Sequence, residues 1–578
     1  MSGKKAKSDD SQQQRRDIKN IWIVSFFTLL SRFLGYARFI LLIHFFSQMR
    51  WVSDALIFAF RIPNLFRNLL GEGALSSAFI PVFVKTREGE GIASVRDLSC
   101  QVASLLALLG GAITVLGSLF CLAWIYFLEP DDTRLNLALQ LTAMFMVFMP
   151  LTCLAALFGG MLQGLRRFSL PAFLPVIINI GFLSGFAYVY LVSCQGDLRL
   201  IQPSAVFAIA IFVLAAGLFE VLLELPLLLV EGIVIRPTLI FNHPGLKTVL
   251  RGFAPTALGL GLVQVNAFFD SLIAGSISLT NPGSLTYLEI GLRFMQLPLG
   301  VFGVAIATVA FPGFASAATD LPLLRERLTR SIRMSAFFLL PLTGVLIAMA
   351  DPIIRLTCQR PDLSFDHAAV YRSVLTLTLY SAGIFFYSLR QIFARVYYAM
   401  GDYSTPVRIG AMMVGVNLVL NLVLINCPDL FRVFFSGYFR YWNIPLNAFS
   451  SPNLAEAGLA LATLITAVVD SCLLWLVLRR RLGHTASKEG EATNTFPLTL
   501  SRLLPLSLVL GVLTWLFRNS IPYTPEFLGQ LSRLVVPAIL ATGSFYIIAT
   551  VFSLPELGEF LPSFRRSSRP AADSDKPA

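Results

Sequence analysis

The sequence predicts an all-α polytopic membrane protein with about fourteen transmembrane helices. Three observations carry that expectation. First, 56% of the 578 residues are hydrophobic and only 13% are charged, with a mean hydropathy of +0.72, whereas soluble chains average about 25% charged. Second, apolar windows of about 20 residues, the length that crosses the hydrocarbon, recur along the chain. Third, basic residues recur at alternate connections between those windows, the pattern of cytoplasmic loops.

The windows centre near Leu34, Phe66, Ala112, Met149, Phe182 and Val213 in the first half, and near Leu262, Val301, Pro341, Phe385, Val416, Ile465, Val509 and Ala541 in the second. The expected organisation is a cytoplasmic tail over 1–20, six spans over 21–235, six more over 236–482, a final pair over 483–553 and a cytoplasmic tail over 554–578. Both tails are rich in Ser, Lys, Asp and Pro and read as solvated and disordered.

Orientation follows from the loops. Lys4, Lys5, Lys7, Arg15, Arg16 and Lys19 precede the first span, and basic groups return at Lys85, Arg87, Arg166, Arg167, Arg325, Arg327 and Arg479 to Arg481. The intervening connections, such as Glu129 to Asp132 and Thr280 to Ser284, are short of Lys and Arg. The positive-inside rule then puts both termini in the cytoplasm, as an even number of spans requires. The net charge of +12 is divided among many short loops, so it argues for topology and against a nucleic-acid partner. The apolar run after Ile21 is broken at Arg32 with no small-residue cleavage site behind it, so the first span is expected to stay as an anchor. Seven cysteines show no CxxC or metal spacing, and Cys358 and Cys427 near the outer face would pair only in an oxidising compartment. Between Pro428 and Pro452 a loop crowded with Phe, Tyr and Trp reads as an interfacial belt, with a lid over the outer mouth as its alternative.

Internal repetition is visible. Phe168-Ser169-Leu170-Pro171 and Tyr403-Ser404-Thr405-Pro406 each sit at an expected cytoplasmic turn and lead into a span bearing Asn179 or Asn417. Ile62-Pro63 through Ala78-Phe79-Ile80-Pro81 has an echo in Leu297-Pro298 through Ala310-Phe311-Pro312. Two similar halves of about six spans are a common transporter plan, with the substrate site at their interface.

The most informative stretch runs from Ser31 to Pro81, where apolar sequence carries Arg32, Arg38, Asp54, Arg61, Arg67 and Glu72. A charge at a helix centre costs roughly 2.5–3.5 kcal/mol on translocon scales and therefore marks a bundle interior or a wet cavity. Arginine predominates, and its planar fork suits phosphate oxygens. An anionic, phosphate-bearing ligand handled within the bilayer is the expectation. At about 100° per residue, Asp54, Arg61, Asn68 and Glu72 fall within roughly 40° of one another on a helical wheel, with Asn64 partway round and Arg67 well off the stripe. A break at Pro63 would swing Arg67 toward the same side, and a bend at Gly35 would let Arg32 and Arg38 converge. The alternative for Arg38 is an ion pair with Asp54. In the second half, Arg293 lies in an apolar segment with Glu289 one turn before it as a local partner, and Arg390 and Arg395 read either as cavity lining or as interfacial.

Ser31-Arg32-Phe33-Leu34-Gly35-Tyr36-Ala37-Arg38, Ser53-Asp54-Ala55, Phe60-Arg61-Ile62-Pro63-Asn64-Leu65-Phe66-Arg67 and Gly71-Glu72-Gly73 through Pro81 resemble, in order, the N-terminal signature of the MurJ/MviN family of lipid II flippases. Arg293 with Leu297 to Ala305, and Asp402 with Thr405-Pro406-Val407, are similar to that family too.

The resemblance implies two six-helix lobes around a central cavity plus two C-terminal helices, the fold of the multidrug/oligosaccharidyl-lipid/polysaccharide exporter superfamily. It implies no enzyme and no obligatory cofactor. The cargo would be lipid II, the undecaprenyl-diphosphate-linked muropeptide, flipped from the cytoplasmic to the outer leaflet of the bacterial inner membrane by a monomer surrounded by membrane lipids. Arg32, Arg38, Arg67 and Arg293 match the family's cavity arginines, and Asp54, Asn64 and Glu72 match polar positions nearby. The chain departs from the family at Phe39 and Leu292, where an acidic residue often stands. Some members hold a sodium ion, and the equivalent positions by motif are Asp270, Asn417, Asn421 and Thr463, with Asn421 in place of an expected carboxylate. A flippase for another lipid-linked glycan, or a drug/cation antiporter of the same superfamily, is the alternative. A membrane-embedded glycosyltransferase is disfavoured by scattered histidines and the lack of a clustered carboxylate motif.

Overall fold

The computed structural model describes residues 2–70, 74–128, 132–358, 367–426, 455–482, 491–522 and 527–551, and no strand occurs among them. Eleven helical segments among the described residues are long and apolar enough to cross a membrane, and Leu503–Asn519 forms a shorter apolar helix. Each expected span centre lies in a helical segment. Packing divides the chain into two compact units, Met1–Thr286 and Tyr287–Ala578.

The first unit is built from α1 (Ser2–Phe45), α2 (Arg50–Leu70), α3 (Ala74–Glu90), α4 (Ile92–Leu128), α5 (Thr133–Met146), α6 (Phe148–Gly164), α7 (Ser169–Tyr188), α8 (Ala205–Val230) and α9 (Pro244–Thr280). The helix α2 is absent from the membrane-crossing set, because Asp54, Arg61 and Arg67 interrupt its apolar run. Two expectations are corrected here. The polar N-terminal segment, expected to be disordered, is helical and continuous with α1 from Ser2. Pro63 does not break its helix, since α2 runs through it. Proline removes one backbone donor, and the remaining turns of α2 carry the helix past it. Inside the unit, α7 and α8 cross at backbone contact through Gly181 and Gly185, four residues apart. A Cβ on Gly181 would lie 2.5 Å from the Cβ of Ala216, and one on Gly185 2.9 Å from the Cα of Ile209. Small residues at this spacing let helices approach where lipid offers no hydrophobic drive.

The second unit contains most of α10 (Ser284–Pro298), then a π-helical stretch Leu299–Val304 leading into α11 (Ala305–Ser316), α12 (Leu321–Cys358), α13 (His367–Ala382), α14 (Ile384–Ala399), α15 (Ser404–Ile425), α16 (Ala455–Arg481), α17 (Glu491–Asn519) and α18 (Phe527–Val551). The late helix α17 packs along α12. Their crossing is fixed by two glycines, because a Cβ on Gly344 would stand 2.5 Å from the Ser507 carbonyl oxygen, and one on Gly511 3.3 Å from that of Gly344. The ring of Phe545 on α18 meets that of Phe337 on α12 at 5.1 Å.

The repeat seen in the sequence has a structural counterpart in two turns. After α6, Arg167 N–H donates to the Leu162 carbonyl at 2.7 Å, and after α14, Asp402 N–H donates to that of Tyr397 at 2.9 Å. Both are Schellman closures, which need a left-handed residue just before the donor. Arg166 supplies it at φ 60° and Gly401 at φ 76°. Each turn delivers the chain into the next helix at a serine, Ser169 or Ser404.

Candidate functional site

The charged stretch occupies α1 and α2. Arg32 is exposed, Arg38 is half-buried, and Phe39 beside it is buried. The Arg38 guanidinium stands over the ring of Phe182 on α7, 4.3 Å from its centroid, and 5.8 Å from that of Phe60 on α2. Phe60 is itself wedged among Phe145, Phe148 and Phe182, with centroids 5.3–5.5 Å away. Ring faces stabilise a guanidinium without cancelling its charge. Arg61 and Asn64 are half-buried on α2. The side chain of Arg67 and the whole of Glu72 lie outside the described residues.

Asp54 has a different role from the one expected for it. It is only 4% exposed. Its Oδ1 accepts the Thr286 N–H at 2.9 Å and the Thr286 hydroxyl at 2.6 Å, while Oδ2 accepts the Gly283 N–H at 2.5 Å. These amides open α10, where a helix leaves its first N–H groups without internal partners. The Ser278 hydroxyl takes a third amide, that of Leu285, at 3.1 Å. The carboxylate therefore caps the α9–α10 turn, and the alternative of an Arg38–Asp54 ion pair is replaced by this cap. The helical-wheel stripe is divided accordingly, with its Asp54 end turned into the protein.

In the second unit, Arg293 pairs with Glu289 at 3.0 Å, one turn before it on α10, so the local partner seen in the sequence is made. Other embedded arginines are also paired. Arg372 on α13, 8% exposed, grips both oxygens of Glu456 on α16, itself 1% exposed. Its guanidinium lies 4.7 Å from the Tyr287 ring centroid. Arg390 on α14 meets Asp470 on α16 at 2.5 Å, which settles it as a helix-to-helix contact. Arg355 meets Asp351 at 2.8 Å within α12, with Arg518 4.0 Å from the same carboxylate. The Arg372 and Arg390 pairings were missed in the sequence because their partners lie far apart along the chain, Arg372 from Glu456 by 84 positions.

Asp402 sits in the turn before α15. Its carboxylate accepts from the Ser404 N–H at 3.0 Å, the Thr405 N–H at 3.0 Å, both hydroxyls, and Arg481 at the end of α16. Partial burial works against the charged form. The hydrogen bonds from Thr405, Ser404 and Arg481 outweigh it and hold the carboxyl below the usual carboxylate range.

Of the residues considered for sodium, Asp270 lies in the first unit, where the Asn266 amide donates to it at 3.3 Å, and Asn417, Asn421 and Thr463 lie in the second. The Asn421 amide donates to the Asn417 oxygen at 2.9 Å, and the Thr463 hydroxyl donates to the Leu459 carbonyl within its own helix at 2.8 Å. The Asn417 amide in turn donates to the Thr466 hydroxyl on α16 at 3.3 Å. Cys358 is buried. Cys427 and the aromatic loop from Pro428 to Pro452 lie outside the described residues.

A family model described as lipid II flippase MurJ matches residues 45–532. The chain belongs to the MurJ lipid II flippase family. Relatives agree. A probable lipid II flippase MurJ of Vibrio cholerae is 30% identical over 478 residues, covering 80% of this chain and 82% of its own length. The lipid II flippase MurJ of Burkholderia cenocepacia is 29% identical over 472 residues, covering 79% and 83%. Among solved structures, a lipid II flippase MurJ in an inward closed conformation superposes with a TM-score of 0.68 at 21% identity, covering 91% of this chain and 99% of that one. An inward-facing multidrug-resistance MATE transporter of the MOP superfamily superposes at 0.57 with 12% identity, covering 79% and 96%. The chain thus shares the fold of both transporters over most of its length.

Proposed function

We propose that this chain carries lipid II from the cytoplasmic to the outer leaflet of the bacterial inner membrane. Family membership over most of the chain supports the cargo, and one observation carries the site: Arg38 is held over aromatic faces while the buried carboxylate nearest it in sequence on α2, Asp54, is occupied by backbone amides. Positive charge in this stretch is therefore stabilised by rings, and an anion can use it. A diphosphate offers several oxygens, and arginine forks bind such oxygens through charge-assisted hydrogen bonds.

In this reading Arg32, Arg38, Arg61, Arg67 and Arg293 receive the diphosphate, with Asn64 and Glu72 as polar neighbours, while the prenyl tail stays in lipid. Arg293 would exchange part of its Glu289 contact for phosphate. Asp54 is a positioning residue that fixes the start of α10. Transport proceeds by alternating access between lobes 21–235 and 236–482, with α17 and α18 as the appended pair. The count of fourteen spans combines the membrane-crossing helices with α2–α3, α9 and α17, and both termini face the cytoplasm. The protein acts by binding and moving its cargo, without chemistry on it.

The test is lipid II translocation in cells depleted of their own flippase, comparing the wild-type chain with Arg32→Ala, Arg67→Ala and Arg293→Ala variants shown to reach the membrane. Each variant is expected to lose most of the activity. Full activity in all three would remove arginine recognition from the account, and a wild-type chain that supports another lipid-linked glycan but not lipid II would reassign the cargo.

A further inference from the structure

The helix α8 carries two glutamates inside an otherwise apolar run, Glu220 and Glu224, and both are buried, the second completely. Residues four apart share one face of a helix. Both carboxyl oxygens of Glu224 are sealed from solvent and have no hydrogen-bond partner among the described residues. Asp54, buried in the same unit, has three donors.

The surroundings of Glu224 are apolar and tightly shaped. Its Oε1 lies against Gly159 on α6, where a Cβ would come within 3.1 Å of it, 3.5 Å of Pro171 and 3.8 Å of Leu174. Pro171 has no N–H to offer, which leaves an anion there without the amide usually available in the first turn of a helix. The elements packed against α8 bring few ionisable groups. From α6 comes Cys153, from α7 Tyr188, from the π-turn behind it Tyr190, and from α5 Arg134, whose guanidinium donates to the Leu279 carbonyl. Tyr188 is engaged with the ring of Phe212, three turns before Glu224 along α8. The basic residues on the turn after α6 are exposed Arg166 and Arg167, and Arg167 pairs at 3.1 Å with Glu231 just beyond the end of α8. Burying an ionised carboxylate without a partner is far more costly than burying the neutral acid. A second carboxyl on the same face disfavours ionisation further.

We propose that Glu224, with Glu220 one turn before it, is a proton-carrying site of the first unit: the proton is bound while α6, α7 and α8 are packed as they are here and is released when that packing opens. On release the carboxyl O–H bond breaks, the proton passes to water and a carboxylate remains, solvated by the water that the opening admits. Whichever state holds the proton more tightly is favoured as pH falls, so proton binding and conformation are linked. The site goes beyond the cargo reading, resting on it only for the consequence in transport, and supplies a route by which a proton gradient resets the carrier.

The experiment is infrared spectroscopy of the purified full chain in lipid nanodiscs near neutral pH, alongside lipid II translocation in proteoliposomes. Wild type is expected to show a protonated-carboxyl carbonyl band that disappears in Glu224→Gln and is unchanged when potassium replaces sodium. Because glutamine cannot release a proton, Glu224→Gln should translocate at least about tenfold more slowly while melting at the wild-type temperature. Glu220→Gln should keep the band and shift its titration to lower pH. Absence of a Glu224-dependent band, its displacement by sodium, or wild-type translocation by Glu224→Gln would each overturn the proposal. The band is read without cargo, so a wild-type chain that shows it but moves no lipid II would contradict the cargo reading and leave the proton site standing.

Discussion

Arginine embedded in apolar helices is used in two ways in this molecule, shown by Arg372 in the second unit and Arg38 in the first. In the second unit Arg372, Arg390 and Arg355 each stand within ion-pair distance of a carboxylate, on a neighbouring helix or one turn away. In the first, Arg38 rests over Phe182 and Phe60, and the carboxylate of α2 caps a turn. A paired arginine ties helices together and leaves little charge for a ligand. Contact with aromatic rings leaves a guanidinium's charge in place. The same residue type in the same kind of apolar run is therefore structural in one place and ligand-directed in the other, and the surroundings decide which.

The largest expected effect lies on the structural side of that comparison. Arg372→Ala strands Glu456 as a buried uncompensated charge and should lower stability by about 3–5 kcal/mol, measured by unfolding in detergent. The double variant Arg372→Met/Glu456→Leu removes both charges and should recover most of the loss. If it does not, the pair contributes through something other than mutual compensation.

On the ligand side, Arg38→Ala should weaken binding of a prenyl diphosphate by the worth of a charged hydrogen bond, about 1.5–3 kcal/mol. Its effect on unfolding should be smaller, about 0.5–2 kcal/mol for the lost ring contacts. A titration of purified protein with the lipid checks the first, and a melt checks the second. A large loss of stability with unchanged affinity would put Arg38 in the structural class.

Asp54→Ala should cost about 1–3 kcal/mol, because the Gly283 and Thr286 amides would then be buried without acceptors. Asp54→Asn retains one acceptor oxygen and should cost less. Hydrogen exchange at the start of α10 should report the change locally.

The smallest effect is at Asp402. Its folded carboxyl titrates below its unfolded value, so it adds stability that is fully present above the unfolded value, near 3.9, and is lost as pH falls from there through the folded one. Asp402→Asn should lose about 1 kcal/mol at neutral pH, with the gap to wild type closing under acid. A gap that persists unchanged below pH 3 would assign the loss to turn geometry instead of charge.

Much of this was legible in the sequence. Hydropathy periods place the helices because lipid imposes one length on every span, and Arg38 declares itself by standing where a charge is expensive. The partners are less visible. Asp54 and Arg61 share a wheel face with the same apparent character, yet Asp54 is drawn to a turn 229 residues later in the chain, at Gly283, which no local pattern encodes. The Schellman turns after α6 and α14 were foreshadowed by the matching tetrads that follow them, although Arg166 gave no hint that it would take the left-handed conformation that Gly401 adopts easily. Pro63 suggested a helix break, but the remaining hydrogen bonds of α2 carry the helix past it. Glu220 and Glu224 were visible as charges in an apolar run, and only the packing of Gly159 and Pro171 shows that one of them is sealed without a partner.

The most direct test of the division between the two units is to reconstitute Arg38→Ala and Arg372→Ala in parallel and measure lipid II translocation per folded molecule in proteoliposomes. Arg38→Ala should fold and fail to translocate, while Arg372→Ala should yield less folded protein whose remaining molecules translocate at the wild-type rate. If folded Arg38→Ala translocates as well as wild type, the ring-supported arginine is not a ligand group and the central claim is wrong.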